Sequence, residues 1–137
     1  MRHLVDEAGL SDRIVVDSAG TGAWHAGEAP DRRSIATADA HGVSLAGQRA
    51  RQVTDADYFD AHLVLAMDQS NLDTLTRRAP SSGVKARLEL LMSSPRGAGD
   101  DVPDPYYGGD QGFEQVYQMV WRACSVLLEE LKGELEA

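Results

Sequence analysis

The sequence predicts an α/β fold: a three-layer sandwich whose parallel sheet is covered by helices on both faces. Strand-like and helix-like segments alternate along the chain, which is typical of parallel sheets with crossover helices. The run His62–Met67 is almost continuously apolar, as expected for a strand that is buried on both faces. With 137 residues, 42% of them hydrophobic, we expect a single domain over residues 1–137.

The first third of the chain predicts two helices and one strand. The segment Arg2–Leu10 has the pattern of the last turns of a helix, which Gly9 ends. The β-branched run Ile14–Ser18 predicts the first strand. A helix is predicted over Pro30–His41, because proline suits a first helical turn and Gly42 supplies a stop.

The remaining elements are predicted from capping residues and apolar patterns. Thr54 is suited to cap a brief helical turn before the His62–Met67 strand. A short helix is expected over Ser70–Arg78, and Ala86–Leu91 is a further candidate strand. An apolar stripe at helical spacing predicts a long last helix over Phe113–Leu135.

Composition excludes several classes of protein. The formal charge is -9, from 22 acidic and 13 basic residues, which disfavours nucleic acid and anionic membranes as partners. The chain has no apolar run of the roughly 20 residues that span a bilayer and no signal-peptide pattern, so we expect a cytoplasmic location. Its only cysteine, Cys124, cannot form an internal disulfide, and the histidines are not spaced as metal ligands; no metal or other cofactor is predicted.

A long loop between residues 93 and 112 contains the main candidate for catalysis, Asp104. Pro103 and Pro105 flank it and restrict the backbone, which would hold the carboxylate in a defined direction. A general acid benefits from such an arrangement. Composition alone favours a simpler interpretation, a stiff turn, because Pro, Asp and Gly are common turn residues.

Four segments together resemble the low-molecular-weight protein tyrosine phosphatase family, in the same order and over essentially the whole chain. They are Asp17–Thr21, Arg49–Gln52, Met67–Asn71, and the phrase Asp104–Gly108 followed by Phe113–Tyr117. The resemblance implies a flavodoxin-like fold and a substrate that is a phosphotyrosine protein or a small aryl phosphate. It also implies that Asp104 protonates the leaving phenolate and then activates water against a phosphocysteine.

The resemblance implies roles for five further residues. Tyr106 and Tyr107 match residues that wall the aromatic pocket, and Trp24 matches a position at the pocket mouth that influences substrate choice. Ser18 matches a serine that hydrogen-bonds the phosphate loop. Asp68 matches an aspartate near the arginine of that loop, although it could equally cap the helix that follows it. Ordinary packing or turn roles remain open for the two tyrosines, Trp24 and Ser18.

The nucleophile of the family is absent from these residues. The family opens with a strand and a loop with Cys, five residues and Arg, all of which would precede Met1. Cys124 is no substitute, because Glu130 occupies the arginine position and a regular helix offers no free N–H groups for a phosphate. We therefore expect the chain by itself to be inactive and to lack the first strand of the family fold.

The missing strand has a structural consequence and leaves alternatives for function. Two exposed strand edges would make the isolated chain unstable, or favour a homo-oligomer or a strand-swapped assembly, unless the segment is supplied from elsewhere. One alternative is a thiol-dependent arsenate reductase of the same fold, although its extra cysteines do not occur between Asp68 and Asp110. The other is a non-catalytic interaction or phospho-ligand-binding protein.

Overall fold

The computed structural model describes residues 1–22, 26–105 and 109–136. The chain divides into two compact units. A helical unit comprises Met1–Asp17, Pro30–Ala46 and Asp104–Ala137, and a sheet unit comprises Ser18–Ala29 and Gly47–Pro103. The organisation of the whole chain as one domain stays a prediction. No helix among the described residues is long and apolar enough to cross a membrane.

Five helices and two strands are described, and helices and strands alternate only in the second half of the chain. In chain order they are α1 (Arg2–Glu7), α2 (Arg32–Ala40), α3 (Asp55–Asp60), β1 (Leu63–Ala66), α4 (Gln69–Arg78), β2 (Arg87–Leu90) and α5 (Gly109–Glu136). The helical unit holds α1, α2 and α5, and the sheet unit holds the others.

The predicted end of the first helix is confirmed, and the second helix is slightly shorter than predicted. Gly9 has a φ of 71°, and Leu10 N donates to Val5 O at 3.0 Å, the geometry with which a glycine typically ends a helix. α2 begins after Asp31, whose carboxylate accepts a hydrogen bond from Arg33 N at 2.8 Å. The helix therefore starts slightly later than predicted, because Asp31 rather than Pro30 sets its first turn.

The helical unit is packed along one side of α5. This helix contributes a row of buried residues in its second half, Ala123, Cys124, Leu127 and Leu128. At its first turns, His41 Nε2 lies 2.7 Å from Glu114 Oε1, and the His41 ring stacks on Tyr117 with centroids 4.2 Å apart. The end of α2 is thus fixed to α5 by a contact between an imidazole and a carboxylate and by a ring contact.

The sheet unit is built on two parallel strands. β1 and β2 pair in register from Leu63 opposite Arg87 to Ala66 opposite Leu90. Ala66 and Leu90 are buried in one cluster with Tyr58 and Leu75. The Tyr58 hydroxyl donates to Leu75 O at 2.7 Å, so the phenol is buried with its polar atom satisfied.

Two predictions are corrected. The segment Ile14–Ser18 is not a strand; Val16 O accepts a hydrogen bond from Arg2 Nε at 2.9 Å, and Val15 is 92% exposed. β-branched residues favour strands only where a neighbouring strand completes the ladder. The last helix begins at Gly109 rather than Phe113, so the preceding loop is shorter than predicted, because glycines in a first helical turn cost less than glycines inside the helix.

Candidate functional site

The sheet unit contains an open concavity of about 370 Å³. Ser18 and Arg51 line it together with small residues, Ala19, Gly20, Gly22, Ala26 and Ala50. Its volume lies within the ~300–1,000 Å³ that is usual for small-molecule pockets. The glycines and alanines leave the space open, while Ser18 and Arg51 provide polar groups at its edge.

Backbone hydrogen bonds hold the two walls of this concavity together. Gly20 N donates to Arg51 O at 2.8 Å, and Val53 N donates to Gly20 O at 2.8 Å, which forms a parallel bridge at this point. Ala50 makes two further bonds, at 2.7 and 2.8 Å, with residues 27–28. The loop that carries Ser18 is therefore fixed to the segment that precedes α3.

Two side chains hold the same loop at Thr21. The Thr21 carbonyl accepts a hydrogen bond from Arg78 Nη1 at 2.6 Å and one from Gln52 Nε2 at 3.3 Å. Trp24, the candidate for the pocket mouth, follows three positions later and lies outside the described residues. The sequence did not reveal this arrangement, because no local signal connects the end of α4 with Thr21.

The guanidinium of Arg51 forms a bidentate salt bridge with the carboxylate of Asp57. Its two terminal nitrogens donate to the two carboxylate oxygens at 2.9 and 2.8 Å. The hydrogen bond from Arg51 is the main reason why the pKa of Asp57 is lowered. Asp57 Oδ2 also accepts from Thr54 N at 2.8 Å, so the carboxylate joins the start of α3 to the edge of the concavity.

Asp68 caps α4. Its Oδ1 accepts a hydrogen bond from Asn71 N at 2.7 Å, so the capping alternative is confirmed. This cap places a partly buried carboxylate at the carboxyl end of β1. The role near a phosphate-loop arginine stays a prediction.

The loop that leads to Asp104 is attached to the same end of β1. Val102 is buried, and its N–H donates to Met67 O at 2.7 Å. Asp101 Oδ1 accepts from Gln69 N at 2.9 Å, at the first turn of α4. The backbone is therefore anchored two residues before Asp104, a feature that the sequence did not reveal.

The remaining predicted site residues are Asp104, Tyr106 and Tyr107. Asp104 is exposed and is the first residue of the last segment of the helical unit. Tyr106 and Tyr107 lie outside the described residues. The convergence of Ser18, Asp68 and Asp104 on one crevice stays a prediction.

Cys124 has the environment that was predicted for it. It is 6% exposed within α5, and burial raises the pKa of its thiol. A buried, protonated thiol is a poor nucleophile, because the thiolate is the reactive form. The structure therefore supports a packing role for this cysteine.

Comparisons with known proteins agree with the resemblance in the sequence. The family model described as "Low molecular weight phosphotyrosine protein phosphatase" matches residues 1–137. The low molecular weight protein-tyrosine-phosphatase of Streptomyces coelicolor is 42% identical over 138 aligned residues, which cover 98% of this chain and 84% of that protein. The low molecular weight phosphotyrosine protein phosphatase of Sus scrofa is 37% identical, covering 96% of this chain and 83% of the relative.

A solved structure extends the agreement to the fold. The protein tyrosine phosphatase of Entamoeba histolytica superposes with a TM-score of 0.87 at 27% identity, covering 97% of this chain and 85% of the other. This likeness confirms the predicted α/β fold with a parallel sheet. The chain belongs to the low molecular weight phosphotyrosine protein phosphatase family.

Proposed function

We propose that this protein contributes the acid and the substrate pocket to the hydrolysis of aryl phosphate monoesters, with phosphotyrosine in proteins as the substrate. The observation that carries the proposal is the family match over the whole chain, which includes the Asp-Pro-Tyr-Tyr-Gly phrase at Asp104. The acidic composition and single cysteine support a cytoplasmic setting. No metal or other cofactor takes part in the scheme.

The reaction proceeds in two steps that use Asp104 in opposite protonation states. A cysteine thiolate attacks phosphorus, the bond to the aryl oxygen breaks, and protonated Asp104 gives its proton to that oxygen. The resulting carboxylate then takes a proton from water as the water attacks the phosphocysteine. A positioned acid of this kind contributes about 10²–10⁴-fold in rate.

The scheme needs a cysteine nucleophile that we do not expect these 137 residues to supply. Their only cysteine is Cys124, which is buried inside α5. The residues by themselves should therefore bind and orient but not turn over substrate. Trp24, Tyr106 and Tyr107 are proposed to contact the aromatic ring, and Ser18 to support the phosphate loop.

The decisive experiment compares the chain by itself with the chain extended at its N-terminus by a strand and a Cys-x5-Arg loop. The extended protein should hydrolyse phenyl phosphate, whereas the 137 residues should not. Within the extended protein, Asp104→Asn should lower kcat/KM for phenyl phosphate by about 10²–10⁴-fold. Because kcat/KM reports only the steps up to cleavage of the aryl ester, the loss in kcat/KM should be smaller for dinitrophenyl phosphate, whose leaving group needs little protonation.

Asp100→Asn provides the matched control, because Asp100 is an exposed aspartate of the same loop. It should leave kcat/KM close to that of the unsubstituted protein for both substrates. Equal effects of the two substitutions would exclude Asp104 as the acid. Absence of aryl phosphate hydrolysis by the extended protein would refute the proposed activity.

A second candidate, phosphate-ester binding without hydrolysis, is favoured by the burial of Cys124. It predicts that the 137 residues bind a phosphotyrosine peptide in a calorimetric titration and bind the unphosphorylated peptide much more weakly. Absence of any difference between the two peptides would exclude this candidate.

A further inference from the structure

Arg96 is the only charged side chain that is buried among the described residues, with 4% of its surface exposed. It lies in the loop that follows β2. A buried guanidinium is costly unless its N–H groups find acceptors, so its partners indicate what it holds in place.

Three consecutive residues at the carboxyl end of β2 accept hydrogen bonds from Arg96. Nε donates to Leu91 O at 2.7 Å, and Nη2 donates to Leu90 O and to Glu89 Oε1, both at 2.9 Å. The planar fork of arginine suits these acceptors, because two separate nitrogens donate to them, whereas a lysine ammonium has all its donors on one nitrogen. The side chain thus folds its own loop back onto the strand.

The loop beyond Arg96 is closed by further contacts. Gly99 N donates to Met92 O at 2.8 Å, and a Cβ on Gly97 would lie 2.8 Å from that same oxygen. The loop then ends at Val102, whose N–H donates to Met67 O at 2.7 Å. Residues 91–102 therefore join the carboxyl ends of β2 and β1 through one continuous set of bonds.

We propose that Arg96 is a positioning residue for the general acid: by holding residues 91–102 against the ends of both strands, it fixes the backbone from which Asp104 continues. The inference rests on the proposed function of Asp104. Arg96 itself does not touch the substrate in this scheme. Its effect reaches the acid through the Val102 anchor, two residues before Asp104.

The first test uses hydrogen exchange in the 137-residue chain and needs no enzymatic activity. Arg96→Met should accelerate exchange of the Gly99 and Val102 amides by about 10-fold or more, while amides inside α4 keep their rates. Arg77→Met is the matched control, because Arg77 is an exposed arginine of the same unit. Arg77→Met should leave the exchange rates of both groups of amides unchanged.

A purely stabilising role for Arg96 gives a different pattern, because loss of global stability accelerates all slowly exchanging amides alike. That pattern, or unchanged rates at Gly99 and Val102, would overturn the inference. If Arg96→Met does not fold, Arg96→Lys keeps the charge and removes the fork, and the same local acceleration is expected from it.

The second test measures kcat/KM in the N-terminally extended protein, because this ratio reports only the steps up to cleavage of the aryl ester. Arg96→Met should lower kcat/KM for phenyl phosphate by about 10-fold or more, since a displacement of about 1 Å costs up to about 100-fold. It should change kcat/KM for dinitrophenyl phosphate little. Equal losses with both substrates would refute a role in positioning the acid.

The two tests separate the inference from the function on which it rests. If the extended protein has no activity, the proposed function fails, and the exchange rates still decide whether Arg96 holds the loop. If the extended protein is active and Arg96→Met leaves both the local exchange and the substrate dependence unchanged, the inference fails alone.

Discussion

The contact between Arg51 and Asp57 allows a quantitative test of how the edge of the concavity is held. Asp57→Asn keeps the shape of the side chain and one oxygen that can accept from Thr54 N, but it removes the negative charge. The variant therefore loses the ion pair, which joins two nitrogens and two oxygens at 2.9 and 2.8 Å. It also loses a favourable charge in the first turn of α3.

The size of the effect follows from the exposure of the pair. The side chains of Arg51 and Asp57 are 37% and 23% exposed, so solvent screens the pair and its contribution is about 1 kcal/mol rather than several. Loss of a charge near a helix N-terminus adds about 0.3–1 kcal/mol. We expect Asp57→Asn to lower the free energy of unfolding by about 1–2 kcal/mol at pH 7.

The assay is urea unfolding, and Asp55→Asn is the matched control because Asp55 is an exposed acid in the same helical turn. The control should lose only the helix-terminal part, about 0.3–1 kcal/mol. Equal losses in the two variants would refute the contribution assigned to Arg51.

The same pair predicts a pH dependence. Arg51 lowers the pKa of Asp57 from its usual value of 3.8 in the folded state. A depressed folded-state pKa gives stability that is present above pH 3.8 and is lost as the pH falls through the folded-state pKa. The difference between the unsubstituted protein and Asp57→Asn should therefore be constant between pH 7 and 5 and shrink below pH 4.

Three further substitutions test the packing, each by urea unfolding. Tyr58→Phe should cost about 1–2 kcal/mol, because it leaves the buried Leu75 carbonyl without its 2.7 Å donor. Burial raises the pKa of Tyr58 above its usual value of 10.0, so the contribution of the phenol to stability is present below pH 10 and is lost at higher pH. The difference in unfolding free energy between Tyr58→Phe and the unsubstituted protein should therefore shrink above pH 10. Gly97→Ala should cost about 1–3 kcal/mol, since its Cβ would lie 2.5 Å from Met92 Cε and 2.8 Å from Met92 O. A Cβ on Gly133 would have no heavy atom within 4 Å, so Gly133→Ala should raise the free energy of unfolding by up to about 1 kcal/mol. A Gly97→Ala variant more stable than Gly133→Ala would contradict these contacts.

The features that the sequence predicted well depend on neighbours along the chain. Gly9 ends α1 and Thr54 precedes α3 as expected, because a helix end is decided by the few residues that can satisfy its free backbone groups. The apolar run that became β1 was also recognisable, since a continuous apolar run is typical of a strand in a parallel sheet, although only Ala66 of its four residues is fully buried. Asp68 was recognisable as a cap for the same local reason.

The features that the sequence did not reveal depend on distant parts of the chain. The run Ile14–Ser18 has strand propensity, but a strand forms only where a neighbouring strand completes the ladder, and this segment is not a strand. Arg96 resembles any loop arginine until its carbonyl acceptors are known. The bond between Val102 and Met67 joins residues that no local pattern connects. Contacts between residues that no local pattern connects are therefore the part of the site that only the structure reveals.

The acid loop shows how the two kinds of information combine. Pro103 and Pro105 stiffen the chain on either side of Asp104, which the sequence reveals. A stiff segment directs a carboxylate only if the residue at its start is also fixed, because rotation there would move the whole segment. Val102 is fixed by its hydrogen bond to Met67, and Arg96 holds the loop that leads to Val102. We expect both Arg96→Met and Asp104→Asn to reduce protonation of the leaving group. That result would mean that the two prolines do not orient Asp104 by themselves and also need the hydrogen bond between Val102 and Met67.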